Sequence, residues 1–195
     1  MKENLKDYLY SGTSIQMYRF DELSFLCAKY KTQFFKFFSF NKIKSILSKE
    51  YKHINNREVK YFINKSVNAL YDSTLIVEPN NKELKLYSKI LGSREAIETT
   101  IFKSGDLSSG NLNHKACFIV YKDNEKSITY YKTLFNESEI LYVDDYLGES
   151  ISNVIDKIEL ELLKDDSELY FIDAKIYTNM IANQIFNLNK VAIVL

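Results

Sequence analysis

The chain has 195 residues, of which 46% are hydrophobic and 27% are charged. This composition is typical of a folded protein of one or two small domains, and it argues against long disorder, collagen and coiled coil. No apolar run approaches the roughly 20 residues that a membrane span needs. Because no signal peptide pattern opens the chain, we expect a cytoplasmic protein without a membrane partner, in which Cys27 and Cys117 are reduced core residues.

The formal net charge of zero hides an asymmetry between the two halves. Residues 1–110 carry 18 Lys and Arg against 12 Asp and Glu, a net of +6, whereas residues 111–195 carry 8 against 14, a net of −6. Such an asymmetry indicates two parts with different partners, and a basic part favours nucleic acid.

The basic half contains three runs of apolar residues at helical spacing. They predict a helix that Asp21 caps, a second helix over Asn41–Tyr51, and a third over Arg57–Tyr71. The third helix is expected to bury one apolar face, made of Val59, Phe62, Ile63, Val67 and Leu70. Two strand-like runs, 74–77 and 83–87, then flank a turn that contains the only proline, and a short helix is expected over 92–103.

The acidic half alternates between apolar runs and helical patterns. The runs predict strands at 117–121, 140–143, 169–172 and 191–194, with helices at 125–136, 149–164 and 176–187. This alternation is typical of a parallel, Rossmann-like sheet built from right-handed crossovers. We therefore expect an α/β protein with a basic domain at 1–103, a polar linker at 104–114 and an acidic α/β domain at 115–195.

The element order of residues 21–91 resembles a winged helix-turn-helix. The residues that carry the resemblance are Asn41–Tyr51 and Arg57–Tyr71 as the helix pair, His53–Asn56 as the turn, and Leu75–Tyr87 as the wing. The turn departs from the family because it lacks a glycine. The resemblance implies a DNA-binding regulator whose recognition helix, Arg57–Tyr71, enters the major groove, with the wing on the DNA backbone or in the minor groove.

Side chains opposite the apolar face of the third helix support this interpretation. They offer cations for phosphates and amides for adenine edges. With neighbouring lysines, the predicted DNA-contacting residues are Lys42, Lys44, Arg57, Lys60, Tyr61, Asn64, Lys65, Asn68 and Lys82. The phenylalanine-rich segment 34–40 is expected to form core and a homodimer interface, which suits paired DNA half-sites. The acidic α/β half is expected to dimerise or to sense a ligand, and no cofactor is expected.

Carboxylates follow three of the strands predicted in the acidic half. They are Asp123, Asp144, Asp145 and Asp173. At the carboxyl edge of a parallel sheet such residues could hold Mg²⁺ for a phosphoryl-transfer enzyme or nuclease, although aspartate also caps helices and turns after strands. A third hypothesis is a protein–protein interaction module. Phosphate-loop, dinucleotide and zinc motifs are missing from the sequence.

Overall fold

The computed structural model describes residues 14–32, 36–51, 53–91, 100–102, 114–148 and 150–195. Within these ranges the strands are β1 (Met17–Arg19), β2 (Leu75–Val77), β3 (Thr100–Phe102), β4 (Ala116–Val120), β5 (Ser138–Tyr142), β6 (Leu169–Asp173) and β7 (Val191–Val194). The α-helices are α1 (Glu22–Thr32), α2 (Lys36–Glu50), α3 (Asn56–Asp72), α4 (Asn81–Leu91), α5 (Thr129–Lys132), α6 (Ile151–Lys164) and α7 (Thr178–Asn187). Three short 3₁₀ segments, Lys122–Ile128, Val143–Tyr146 and Lys175–Tyr177, follow β4, β5 and β6.

All described strand pairs are parallel. One sheet has the order β1-β2-β3 and the other β5-β4-β6-β7. An isolated parallel bridge between Gln16 and Ala192 connects the two, and the Ala192 N–H donates to the Ile15 carbonyl at 2.8 Å. The strands therefore follow one another as β5-β4-β6-β7-β1-β2-β3. The predicted α/β class is confirmed, and its parallel strands extend into the basic half.

Helices cover both faces of this sheet. On one face, Gln16 points to α3 and α7, where its side chain bonds to the Ala69 carbonyl and to Asn183. On the opposite face, Phe171 of β6 stacks on Phe118 of β4, with ring centroids 5.1 Å apart, and on Tyr131 of α5 at 5.6 Å. Burial on both faces explains why β4 and β6 are continuous apolar runs.

The strand predicted at 83–87 is wrong, because these residues lie in α4. The Asn80 side chain accepts from the N–H groups of Lys82 and Glu83, and Glu83 accepts in return from the Asn80 N–H. This reciprocal cap starts a helix immediately after Pro79. The β2 strand pairs with β1 and β3 in parallel, so residues 75–87 form no hairpin wing. The element order that carried the winged-helix resemblance therefore ends at α3.

Other predicted elements agree more closely with the structure. The α3 helix buries all five predicted apolar residues, and Asn55 caps its first turn by accepting from the N–H groups of Arg57 and Glu58. Both cysteines are buried and free. The helix predicted at 92–103 is wrong at Thr100–Phe102, which is a strand, and its remaining residues lie outside the described ranges. In the phenylalanine-rich segment 34–40, Phe37 and Phe38 are largely exposed, and Phe34 and Phe35 lie outside the described residues.

The basic and acidic halves are in extensive contact. Helix α3 packs on α7 and α6, and β1 lies beside β7. The Glu58 carboxylate of α3 accepts hydrogen bonds from the N–H groups of Ile151 and Ser152 at the start of α6. The division into two domains stays a prediction, since 103–113 lie outside the described ranges. In that described part, no helix is long and apolar enough to cross a membrane.

Candidate ligand-binding cleft

A cavity of about 340 Å³ opens at the carboxyl edge of the sheet, where β6, β7 and β1 end side by side. In open parallel sheets this edge is where ligands bind, because loops and helix starts converge there. The polar side chains of the wall include Arg19, Asp21, Glu22, Asp173, Lys175, Thr178 and Asn179, and the apolar ones Leu23, Ile46 and Ile176. Mixed polar and apolar walls of this kind are typical of small-molecule sites.

Arg19 is the half-buried cation of the cavity. It is the last residue of β1, and its guanidinium donates from Nη1 to the main-chain oxygen of Leu195. Among the described residues no Asp or Glu side chain forms an ion pair with Arg19. The guanidinium has five N–H donors in a planar fork that matches carboxylate and phosphate oxygens. Its remaining donors are therefore suited to an anionic ligand.

Asn179 fixes the main chain that carries Arg19. The buried side chain of Asn179, in the first turn of α7, accepts from the Arg19 N–H at 3.0 Å and donates to the Arg19 carbonyl at 2.8 Å. Next to it, Thr178 accepts from the Ala174 N–H through its hydroxyl at 2.9 Å. These bonds hold the end of β1, the end of β6 and the start of α7 in one arrangement.

The carboxylates near Arg19 are engaged elsewhere. Asp21 caps α1, where its Oδ1 accepts from the Ser24 N–H at 2.6 Å. Glu22 forms an ion pair with Lys42 of α2 at 2.9 Å. Neither carboxylate therefore forms an ion pair with the guanidinium.

The cavity adjoins the point where the sheet reverses its winding. The connection after β4 leads to β5 on one side, and the connection after β6 leads to β7 on the other, so the loops after β4 and β6 separate at this point. Two contacts join these loops: Lys175 Nζ to Asp123 Oδ2 at 2.9 Å, and Asn124 Nδ2 to Asp173 Oδ2 at 3.2 Å. The ammonium of Lys175 also lies 4.2 Å from the centre of the Tyr121 ring.

Lys175 has a left-handed backbone, with φ of 47°. This region is uncommon for residues other than glycine, asparagine and aspartate, and such strain concentrates at functional sites. Here it turns the chain from the end of β6 into the 3₁₀ segment that leads to α7. Lys175 consequently lines the cavity, and its side chain reaches the loop after β4.

The four strand-end aspartates lie at the same edge, and lysines pair with two of them. Asp123 binds Lys175, and Asp145 binds Lys122 through the Lys122 ammonium. Asp144 accepts from the main-chain N–H of Lys122 at 2.7 Å. Among the described residues, one group of three side chains has its ligand atoms within 4.8 Å of one another, as a metal site requires. None of the four strand-end aspartates belongs to that group.

That acidic group, Glu139, Asp165 and Asp166, lies at the opposite edge of the sheet. Lys115 pairs with Glu139 at 2.6 Å and also with Asp166. These bonds raise the pKa of Lys115, and the same ammonium lowers the pKa of Asp166. The Lys115 ammonium therefore already supplies the positive charge that a metal ion would bring to this acidic group.

The predicted DNA-contacting residues lie mainly on α2 and α3. Arg57, Lys60, Asn64 and Asn68 are exposed along one stripe of α3. Lys42 pairs with Glu22, and Lys44 donates to Asn56 Oδ1 at 2.8 Å.

Lys65 of α3 contacts Tyr61 of the same helix, and its ammonium lies 5.7 Å from the centre of the Tyr61 ring. Burial, together with the nearby carboxylates Asp156, Glu58 and Glu159, raises the pKa of Tyr61 to about 12. The stripe on α3 is thus flanked by acidic residues of α6. Lys82 is not on a wing but in the first turn of α4.

The chain was compared with protein-family models, curated proteins and solved structures, and none of them matched. The cleft therefore has to be interpreted from its own geometry. Sequence reasoning found Asp123 and Asp173 but missed Arg19, Lys175 and Asn179. A signal for Arg19 was present, because it directly follows the short apolar run Met17–Tyr18, as a residue at a strand end would.

Proposed function

We propose that the protein binds a small molecule with an anionic group in the cleft at the carboxyl edge of the sheet. The observation that carries this proposal is a cavity of about 340 Å³ whose half-buried Arg19 has no Asp or Glu side chain as an ion-pair partner among the described residues. An arginine in partly desolvated surroundings binds phosphate or carboxylate through paired, charge-assisted hydrogen bonds. The volume lies near the lower end for ligand sites and suits a metabolite-sized molecule.

The arrangement around Arg19 supports binding without a large rearrangement. Asn179 already holds the Arg19 main chain, and Asp21 and Glu22 are occupied by a helix cap and by Lys42. A preformed site of this kind loses little conformational entropy when the ligand enters.

The first test measures the thermal unfolding of the whole chain with orthophosphate, nucleoside monophosphates and hexose phosphates, each organic phosphate beside its dephosphorylated form. A phosphorylated ligand at 100 times its Kd is expected to stabilise the fold by about 2.7 kcal/mol, which raises the unfolding temperature by roughly 5–10 °C. The dephosphorylated forms should have no comparable effect. If no anion of this set stabilises the protein, the proposal is wrong.

The matched variants are Arg19→Gln and Arg57→Gln. The first removes a hydrogen-bonding charge worth about 1.5–3 kcal/mol, so the affinity measured by calorimetry should fall roughly 10- to 100-fold. Arg57 is exposed on α3 and outside the cavity wall, so its replacement should leave the affinity unchanged. Equal effects of the two variants would contradict a site at Arg19.

A second candidate function is nucleic-acid binding through α2 and α3. The observation that favours it is that five of the six lysine–carboxylate ion pairs in the described part lie within residues 114–195. Within the described part of the chain, Lys42 is the only lysine or arginine of α2 and α3 that pairs with a carboxylate. Cations that the protein leaves unneutralised are available to phosphates.

This candidate predicts that the chain binds duplex DNA with a steep salt dependence. If about 4–6 phosphates are neutralised, the slope of log K against log salt should be roughly −4 to −5. The double variant Lys60→Glu with Lys65→Glu should weaken binding to all sequences and reduce the slope by about 2, whereas Lys157→Glu on α6 should not. Electrophoretic mobility shifts of duplex DNA measure the affinity and its salt dependence. If the protein shifts no duplex at low salt, this function is excluded.

A further inference from the structure

We propose that the cleft ligand carries two anionic groups, as a diphosphate does, and that Lys175 leaves Asp123 to bind the second group. This inference rests on the proposed function, since it assumes that Arg19 binds the first group. It concerns the same cavity, whose wall contains both Arg19 and Lys175.

The spacing of the two cations supports a ligand with two charges. Arg19 ends β1, and Lys175 follows the end of β6, with β7 lying between these strands. Neighbouring strands in a sheet are about 4.8 Å apart, so β1 and β6 are separated by roughly 9–10 Å. Both side chains are long enough to converge over the end of β7. Two linked phosphates fit between two cations placed in this way better than a single phosphate does.

The contacts of Lys175 indicate a side chain that can change partner. Its ion pair with Asp123 is solvent-accessible, with 39% of the lysine side chain and 65% of the aspartate side chain exposed. Ion pairs this exposed contribute little to stability, because water competes for both charges. A phosphate in the cavity, with greater charge and three acceptor oxygens, can therefore displace the Asp123 carboxylate from the ammonium.

The backbone of Lys175 gives an independent reason to place function there. A lysine at φ of 47° is strained, and asparagine or glycine would adopt this conformation more readily. The fold nevertheless places a long cation at this position, on the wall of the cavity. The equivalent lysine after β4, Lys122, pairs with Asp145 but is not part of that wall.

The test compares the binding of pyrophosphate and orthophosphate to the full chain by calorimetry, in buffer without divalent cations. The native protein should bind pyrophosphate at least 10-fold more tightly than orthophosphate. Lys175→Asn tolerates the left-handed backbone and removes the cation, so it should lower pyrophosphate affinity roughly 10-fold and leave orthophosphate affinity unchanged. Asp123→Asn should raise pyrophosphate affinity about 2- to 5-fold, because the competing carboxylate is lost.

The control is Lys122→Asn, which should change neither affinity. If the native protein binds orthophosphate or organic monophosphates but shows no preference for pyrophosphate, the second anionic subsite is wrong while the proposed function stands. The second subsite is also wrong, and the proposed function still stands, if Lys175→Asn and Lys122→Asn change the pyrophosphate affinity equally. If the native protein binds no phosphate at all, the proposed function itself fails, and this inference fails with it.

Discussion

Replacing Phe171 by alanine is expected to lower the free energy of unfolding by about 3–5 kcal/mol. The ring is fully buried and contacts three others, with centroids 5.1 Å from Phe118, 5.4 Å from Phe135 and 5.6 Å from Tyr131. Its removal leaves a cavity between β4, β6 and α5 that rigid neighbours can fill only in part. Urea unfolding followed by circular dichroism measures the loss.

The matched control is Phe38→Ala, the same substitution at a side chain that is 79% exposed. It should change the free energy of unfolding by no more than about 0.5 kcal/mol. A similar loss in both variants would contradict the aromatic core between β4 and β6, because the effect of the substitution would then not depend on burial.

Replacing Gln16 by methionine is expected to cost about 2–4 kcal/mol of unfolding free energy. The buried amide of Gln16 donates to the Ala69 carbonyl at 2.7 Å and accepts from the Asn183 side chain at 3.0 Å. Methionine has a similar shape but makes neither bond, and each buried polar group left without its partner costs about 1–3 kcal/mol. The same denaturant titration measures this loss.

Asn64→Met, at an exposed amide of α3, provides the control and should be nearly neutral. Because Gln16 lies where β1 meets β7, its loss should weaken the basic and acidic halves together, in a single transition. Two separate transitions, with only one shifted, would instead support the predicted division into independent domains.

Local patterns predicted the longer elements of this fold well. Five apolar residues at helical spacing and the capping Asn55 made α3 recognisable, and continuous apolar runs marked β4, β6 and β7. The segment 83–87 was misassigned because alternation over five residues fits a strand as well as a short amphipathic helix. The pairing of Asn80 with Glu83 was the local signal that distinguishes them.

The cleft was predictable only in part. The sequence indicated that aspartates follow three strands and would share an edge, which holds. It could not show that β1, only three residues long, lies beside β7, because no local pattern encodes a pairing between Gln16 and Ala192. Without that pairing, Arg19 is one basic residue among many. DNA binding and homodimer formation stay predictions, since both depend on a partner rather than on the fold of one chain.

The position of β1 also bears on how the chain folds. Its neighbours are β2, whose residues lie 58 positions further along, and β7, which lies about 176 positions away. Pairs so distant in sequence form slowly, because the intervening chain must be ordered or looped out first. During synthesis β1 leaves the ribosome before β7, so one of its edges stays unpaired until residues 191–194 have emerged. An early strand with a late partner is exposed to mispairing throughout that interval, which favours a short β1 over a long one.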